Sequence, residues 1–224
     1  MTDPGNPRTI SSALPGCLTH RQVPPIPPSS FVPTHYAASE MLILLVALWT
    51  AQALWRHKIF YGALGIVLFG TAAAFGAVRF GFGLDHENLI TMHRFASQFG
   101  GLIGLILFTC QLMIGANTEH KWHLWHAGIA GPAILLAFFL PSTRVTLFLI
   151  WLLGFVVLCA TRTPQIALRV PVKATLAGVM LVNVLVLRQA SWLTPAESWH
   201  AFHFVVACWL LAIYTLLVAQ RTQA

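Results

Sequence analysis

The chain has 224 residues, of which 57% are hydrophobic and only 8% are charged, and its formal net charge is +7. Because soluble domains carry about 25% charged residues, this composition excludes an ordinary water-soluble domain and a disordered chain. The basic residues lie mostly at the ends of apolar runs, where they meet lipid headgroups and not nucleic acid. The composition predicts a polytopic membrane protein that contacts membrane lipid and binds no nucleic acid.

Residues 1–36 differ from the rest of the chain. They are rich in proline, with Pro24, Pro25, Pro27 and Pro28 close together, and they contain no apolar run. This composition predicts a disordered, proline-rich tail and excludes a secretory signal peptide. Residues 37–224 are predicted to form a single membrane domain.

Seven apolar runs follow, at about residues 39–56, 59–82, 92–115, 122–140, 144–161, 168–188 and 197–219. A helix that crosses the hydrocarbon layer of about 30 Å needs about 20 residues. Backbone polar groups in lipid must be satisfied within the segment, so each run is expected to be a helix. The runs predict an all-α fold, a bundle of seven transmembrane helices.

Lys and Arg between the runs predict the orientation of the bundle. One side, shared with the C-terminus, carries Arg56, Lys58, Lys121, Arg162, Arg169, Lys173 and Arg221. The other side carries Arg79, Arg94, Arg144 and Arg188 at span ends, and Arg8 and Arg21 in the tail. Because cytoplasmic loops are the richer in Lys and Arg, we expect the N-terminus outside and the C-terminus in the cytoplasm, at the inner membrane if the protein is bacterial.

Four histidines fall on the outer side: His86, His93, His200 and His203. His200 and His203 are three residues apart and so share a helix face, while His93 opens the third span. Three imidazoles from two helix ends predict a zinc site formed by His93, His200 and His203, with one position open to a ligand. Glu40, Arg79 and His86 are its expected charged neighbours. The alternative is that these histidines are interfacial and simply hydrogen-bonded.

A second polar cluster is predicted on the inner side. It consists of His57, His120, His123 and His126, the last three within a stretch that also holds two tryptophans. Dense His and Trp at the start of a span is also typical of a membrane interface, which is the alternative interpretation.

The layout resembles the ceramidase-like (CREST) superfamily of seven-span membrane proteins. The likeness rests on the small-residue-rich second span, the polar start of the third, and Ser198-Trp199-His200-Ala201-Phe202-His203 at the start of the seventh. The resemblance implies a zinc-dependent hydrolase acting on lipid amides, or a non-hydrolytic relative of such enzymes.

A second resemblance is to the di-haem, ascorbate-reducible cytochromes b. It rests on His93-Arg94 and on His126-Ala127-Gly128. This resemblance implies haem b held by paired histidines and a role in membrane electron transfer. A third class, a non-catalytic membrane subunit or a small-solute transporter, also fits the sequence.

Overall fold

The computed structural model of the protein describes residues 33–84, 86–115, 120–161 and 168–221. Of the predicted proline-rich tail, residues 1–32 lie outside the described part, so its disorder stays a prediction. Tyr36, the last residue of that predicted tail, already begins the first helix.

All regular elements in the described part are helical, which confirms the predicted all-α class. A π-helical turn, Ala96–Gly100, joins the third α-helix to the fourth, so that the chain from Glu87 to Ile114 runs as one long helix. The α-helices are α1 (Tyr36–Arg56), α2 (Phe60–Gly81), α3 (Glu87–Phe95), α4 (Gly101–Gly115), α5 (His120–Phe139), α6 (Arg144–Thr161), α7 (Val170–Leu185) and α8 (Pro195–Arg221).

Six stretches of the described chain are long and apolar enough to cross a membrane: Tyr36–Arg56, Phe60–Gly81, Glu87–Ile114, Pro141–Thr161, Val170–Gln189 and Pro195–Gln220. The apolar part of α5, Leu124–Phe139, is shorter than these. The helices fit a multi-pass integral membrane protein, but they do not confirm the predicted count of seven spans.

The outward faces of the helices are apolar, as contact with lipid requires. Leu48 of α1 is 61% exposed, Leu135 of α5 is 59% exposed, and Ile150 of α6 is 60% exposed. A soluble monomer rarely exposes contiguous apolar surface of this kind to water. These faces are therefore suited to hydrocarbon.

Glycines bring α2 and α4 into close contact. A Cβ atom on Gly65 would lie 2.8 Å from the carbonyl oxygen of Gly104, and one on Gly104 would lie 3.0 Å from that of Gly65. Because membrane helices gain little from hydrophobic burial against lipid, small residues that allow close backbone packing stabilise their association. The rings of Phe69 and Phe108 stack beside this contact, with centroids 6.0 Å apart.

Two buried polar side chains connect α8 to its neighbours. The Trp209 indole donates a hydrogen bond to the carbonyl oxygen of Ala177 in α7, at 3.1 Å. The Gln220 amide donates one to the carbonyl oxygen of Leu112 in α4, at 2.9 Å. These bonds hold α8 against both helices within the interior.

The starts of α1, α3, α6 and α8 meet the ends of α2 and α7 at one end of the bundle, which we call the site end. Three aromatic rings illustrate the meeting. Tyr36 of α1 stacks on Trp199 of α8 with ring centroids 5.0 Å apart, and it meets Phe80 of α2 edge-on at 5.5 Å. Residues far apart in sequence are thereby brought to one level of the bundle.

Candidate functional site

Glu40, in the second turn of α1, is almost closed off from solvent, with 2% of its surface exposed. Its Oε1 atom lies 3.2 Å from Nε2 of His203 in α8 and 3.4 Å from Nε2 of His93 in α3. Both imidazoles contact the same oxygen, so their Nε2 atoms are no farther apart than these two distances combined. One carboxylate and two imidazoles from three helices thus form a cluster, the Glu40–His93–His203 cluster.

The second ring nitrogen of His203 determines what its Nε2 can do. Nδ1 lies 2.7 Å from the carbonyl oxygen of Trp199, and since a carbonyl only accepts, Nδ1 carries a proton. In a neutral imidazole, Nε2 would then be a bare acceptor facing a carboxylate oxygen. The contact is favourable only if an additional proton is present, as in an imidazolium–carboxylate pair.

This contact is an ion pair only when an imidazole is protonated. Glu40 Oε1 is buried, and no donor in the described part of the chain meets it at the angles of a hydrogen bond. A positive charge on His203 or His93 is strongly attracted to the carboxylate, because water is excluded from the contact. The cluster is therefore an arrangement that can accept a proton inside the bundle.

His93 is positioned just before the π-helical turn. Its carbonyl oxygen accepts a hydrogen bond of 2.7 Å from the Ser97 hydroxyl, inside that turn. π-Helical turns interrupt the regular backbone ladder and occur frequently at functional sites. Here the turn contributes Ser97 and Gln98 to the wall of the cavity described next.

The cluster forms part of the wall of a cavity of about 460 Å³ at the site end. Sites for small molecules commonly have about 300–1,000 Å³. Away from the cluster the wall is mainly apolar, with Phe69, Phe148 and Met180. Along α2, Phe69 lies about 15 Å deeper than Arg79, at 1.5 Å per residue. The cavity therefore has a polar end and an apolar end, as an amphiphile requires.

Four arginines line the same cavity: Arg79, Arg94, Arg144 and Arg188. They come from α2, α3, α6 and the short turn that follows α7. Among the described residues that line the cavity, Glu40 is the one acid. Its carboxylate is already paired with two imidazoles, so the described lining carries more positive than negative charge.

The predicted outer site is assembled in part. Glu40, Arg79, His93 and His203 line the cavity, whereas His200 and His86 are not among its lining residues. The His200 ring lies 5.3 Å from that of His35 instead. Three residues along an α-helix correspond to a rotation of about 300°, so His200 is turned about 60° away from His203. His86 precedes α3 and is exposed.

The structure describes only half of the predicted inner cluster. His57 is exposed at the end of α1, and the His126 ring packs edge-on against Trp151 with centroids 5.6 Å apart. The side chains of His120 and His123 lie outside the described residues. The inner cluster as a whole stays a prediction.

The predicted zinc centre receives no support from the ligand geometry. Within residues 33–84, 86–115, 120–161 and 168–221, no group of three or more His, Cys, Asp or Glu side chains is placed to hold a metal ion. His93 and His203 are brought together, but by a carboxylate that lies against both of them. Haem b stays a prediction.

Sequence reasoning placed Glu40 beside the site, whereas the structure puts it at the centre. It also took Arg94, Arg144 and Arg188 as signals of orientation alone, and all three line the cavity. One signal was present in the sequence: Glu40 is an acidic residue at the edge of an apolar run, and such residues face the bundle interior and mark functional sites.

Comparisons with family models, with curated proteins and with solved structures find no match to this chain.

Proposed function

We propose that this protein acts on a membrane lipid at the site end as a hydrolase of lipid amides or esters, with the Glu40–His93–His203 cluster as its reactive centre. The observation that supports this function is a carboxylate held between two imidazoles on the wall of a half-apolar cavity. The lipid chain packs against Phe69 and Phe148, and its carbonyl group lies at the cluster.

The cluster supplies the parts that general acid–base catalysis needs. Glu40 stabilises a protonated His203, whose two ring nitrogens face Glu40 and the Trp199 carbonyl oxygen. His93 in its neutral form takes a proton from water as the water oxygen adds to the acyl carbon. The His93 imidazolium then gives that proton to the leaving amine or alcohol as the bond between that group and the acyl carbon breaks, so the protons balance. Positioned acid–base groups typically contribute about 10²–10⁴-fold to a rate.

The proposed steps need only the carboxylate and the imidazoles of the cluster. Metal analysis of the purified protein tests whether a metal ion also takes part. If the wild type contains one zinc per chain and His203→Ala contains none, a metal-based mechanism takes the place of the proton-based one. The same sample decides the electron-transfer alternative, because bound haem would colour the protein.

We also propose that α5 is a seventh span. The long helix formed by α3 and α4 leads away from the site end, yet Arg144 at the start of α6 is back at that end. Of the described elements between them, α5 is the one longer than a single turn, and its 20 residues are about 30 Å long at 1.5 Å per residue, enough to cross the hydrocarbon layer.

The proposed orientation places the site end outside and the C-terminus in the cytoplasm. Arg56 and Lys58 are exposed at the end opposite the site, as expected for a cytoplasmic loop. Arginines are also present at the site end, although Lys and Arg usually mark the cytoplasmic side. Those at the site end line a cavity, so we do not count them as evidence for a cytoplasmic loop.

Turnover in vesicles tests the proposed function. The protein is reconstituted into phosphatidylcholine vesicles that contain N-acyl and O-acyl lipids with a labelled fatty acid, and release of that acid is measured. We expect Glu40→Gln and His203→Ala to be slower by about 100-fold or more. His200→Ala, which changes a histidine of the same helix outside the cavity, is the matched control and should retain the rate. No release above protein-free vesicles, or an unchanged rate in Glu40→Gln, would overturn the proposal.

A further inference from the structure

The charge of the cavity points to the kind of lipid that it binds. We infer that the ligand carries a terminal phosphate, a phosphate monoester, in its headgroup, and that Arg94, Arg144 and Arg188 bind this phosphate with Arg79 beside them. The inference rests on the proposed function for the presence of a lipid, but it does not depend on turnover.

The described lining does not balance the charge of Arg94, Arg144 and Arg188. Among its described residues Glu40 is the one acid, and it is engaged by His93 and His203. In the part of the chain that the structure describes, no carboxylate lies within ion-pair distance of Arg144. Cations within a membrane bundle pair with opposite charges or backbone carbonyls, or face a water-filled cavity, and they commonly mark the path or site of a ligand. An anionic ligand completes this arrangement.

Neutral groups hold Arg144 in place without cancelling its charge. It is 8% exposed, its Nε donates a hydrogen bond of 2.8 Å to the carbonyl oxygen of Ala137, and its guanidinium lies 5.1 Å from the ring centre of Phe95. Contacts with a carbonyl and with aromatic rings orient a guanidinium, but they leave its net positive charge unchanged because these groups are neutral. The two terminal nitrogens, which carry four of the five N–H donors, are thus directed by protein contacts and are suited to a ligand.

Two further arginines also lie against aromatic rings. The guanidinium of Arg188 lies 5.7 Å from the ring centre of Phe202, and that of Arg79 lies 4.9 Å from the ring centre of Phe80. Aromatic faces therefore orient three of the four cavity arginines. A set of oriented cations around one space lowers the ordering cost of binding an anion.

Ordinary interfacial anchoring does not explain this placement. Arginines that only contact the headgroup layer lie around the outside of a bundle. Here they extend from four separate elements into one concave space, and the same space contains the Glu40–His93–His203 cluster. Convergence of this kind is a property of a binding site.

Phosphate fits several guanidiniums better than other anions do. A guanidinium binds phosphate through two parallel hydrogen bonds, and a terminal phosphate offers three oxygens for more than one such pair. A free phosphate would have no use for the apolar wall formed by Phe69 and Phe148. A phospholipid, phosphatidic acid being the simplest, uses both ends of the cavity.

The experiment measures lipid binding to the purified full-length protein in neutral detergent. Phosphatidic acid, phosphatidylcholine of the same chains, the matching free fatty acid and inorganic phosphate are titrated separately. We expect phosphatidic acid to bind at least about 10-fold more tightly than phosphatidylcholine, and Arg188→Gln or Arg94→Gln to reduce that affinity about 10-fold each. Both residues are exposed, so these variants should fold even if Arg144→Gln does not. Arg56→Gln, at the opposite end, is the matched control and should leave the affinity unchanged.

Several results would overturn the inference. They are equal affinity for phosphatidic acid and phosphatidylcholine, fatty acid bound as tightly as phosphatidic acid, inorganic phosphate bound as tightly as the lipid, or Arg56→Gln acting as strongly as Arg188→Gln. Binding is also measured in Glu40→Gln. If that variant binds phosphatidic acid while the wild type shows no turnover, the proposed reaction fails and the headgroup inference stands. If the wild type turns over neutral lipids but binds phosphatidic acid no more tightly than phosphatidylcholine, the proposed reaction stands and the headgroup inference fails.

Discussion

Gly76 of α2 lies directly against the carboxylate of Glu40 in α1, so that a Cβ atom at position 76 would collide with the carboxyl group. The absence of a side chain allows the acid to lie along the backbone of α2. There Glu40 is held within reach of His93 and His203. A glycine that makes no polar contact thereby sets the position of the central acid.

Gly76→Ala should therefore displace Glu40 from the imidazoles. Overpacking of this kind typically lowers the free energy of unfolding by about 1–3 kcal/mol. Thermal melting in detergent measures the loss, and lipid turnover should fall with it. Gly81→Ala is the matched control in the same helix, because its Cβ atom meets only Ala37 at an ordinary 3.7 Å. A Gly76→Ala protein as stable and active as Gly81→Ala would contradict the role of Gly76.

Removing either imidazole should be more damaging than removing a neighbouring histidine. His203→Ala leaves the buried Glu40 with one partner, and breaking a buried pair typically destabilises by about 3–5 kcal/mol. His200→Ala removes a ring near His35 outside the cavity, and the expected effect is within about 0.5 kcal/mol. Melting temperatures of the two variants provide the comparison. Equal decreases in melting temperature would show that the Glu40–His93–His203 cluster contributes no more to stability than the His200 ring does.

The contact between α2 and α4 should also be sensitive to size. Gly65→Ala places a Cβ atom 2.8 Å from the carbonyl oxygen of Gly104, which forces the helices apart at an expected cost of about 1–3 kcal/mol. Gly154→Ala in α6 is the control, since nothing lies within 4 Å of its Cβ position. That change should be neutral or stabilise by up to about 1 kcal/mol through helix propensity. The unfolding transition of each variant, followed by tryptophan fluorescence, distinguishes the two sites.

The proposed topology predicts opposite sides for two positions. A reporter fused after Arg221 should report the cytoplasm, and one inserted near Gly83, between α2 and α3, should report the outside. Activity of both reporters on one side of the membrane would exclude a seven-span bundle. A six-span bundle in which α5 does not cross gives that result, so the experiment also tests α5.

The sequence alone was sufficient for the class of the protein and for most of its helices. A run of apolar residues can be recognised from the local sequence. In hydrocarbon the backbone N–H and C=O groups of such a run must bond to one another, which a helix allows. The predicted runs at 39–56, 59–82 and 144–161 accordingly agree with α1, α2 and α6 to within a few residues. The level of the polar residues also followed from the sequence, because alternate spans start at opposite faces.

Which of the polar side chains at the site end contact one another was decided by the tertiary structure. His200 and His203 share a face of α8 by spacing, yet only the rotation and packing of the helix determine that His203 meets Glu40 while His200 lies beside His35. The four arginines are separated by long stretches of chain, and each alone is an ordinary residue of a span end. They become one positive cavity only when α2, α3, α6 and α7 pack together, because the position of a side chain across a bundle depends on contacts between helices and not on the local sequence.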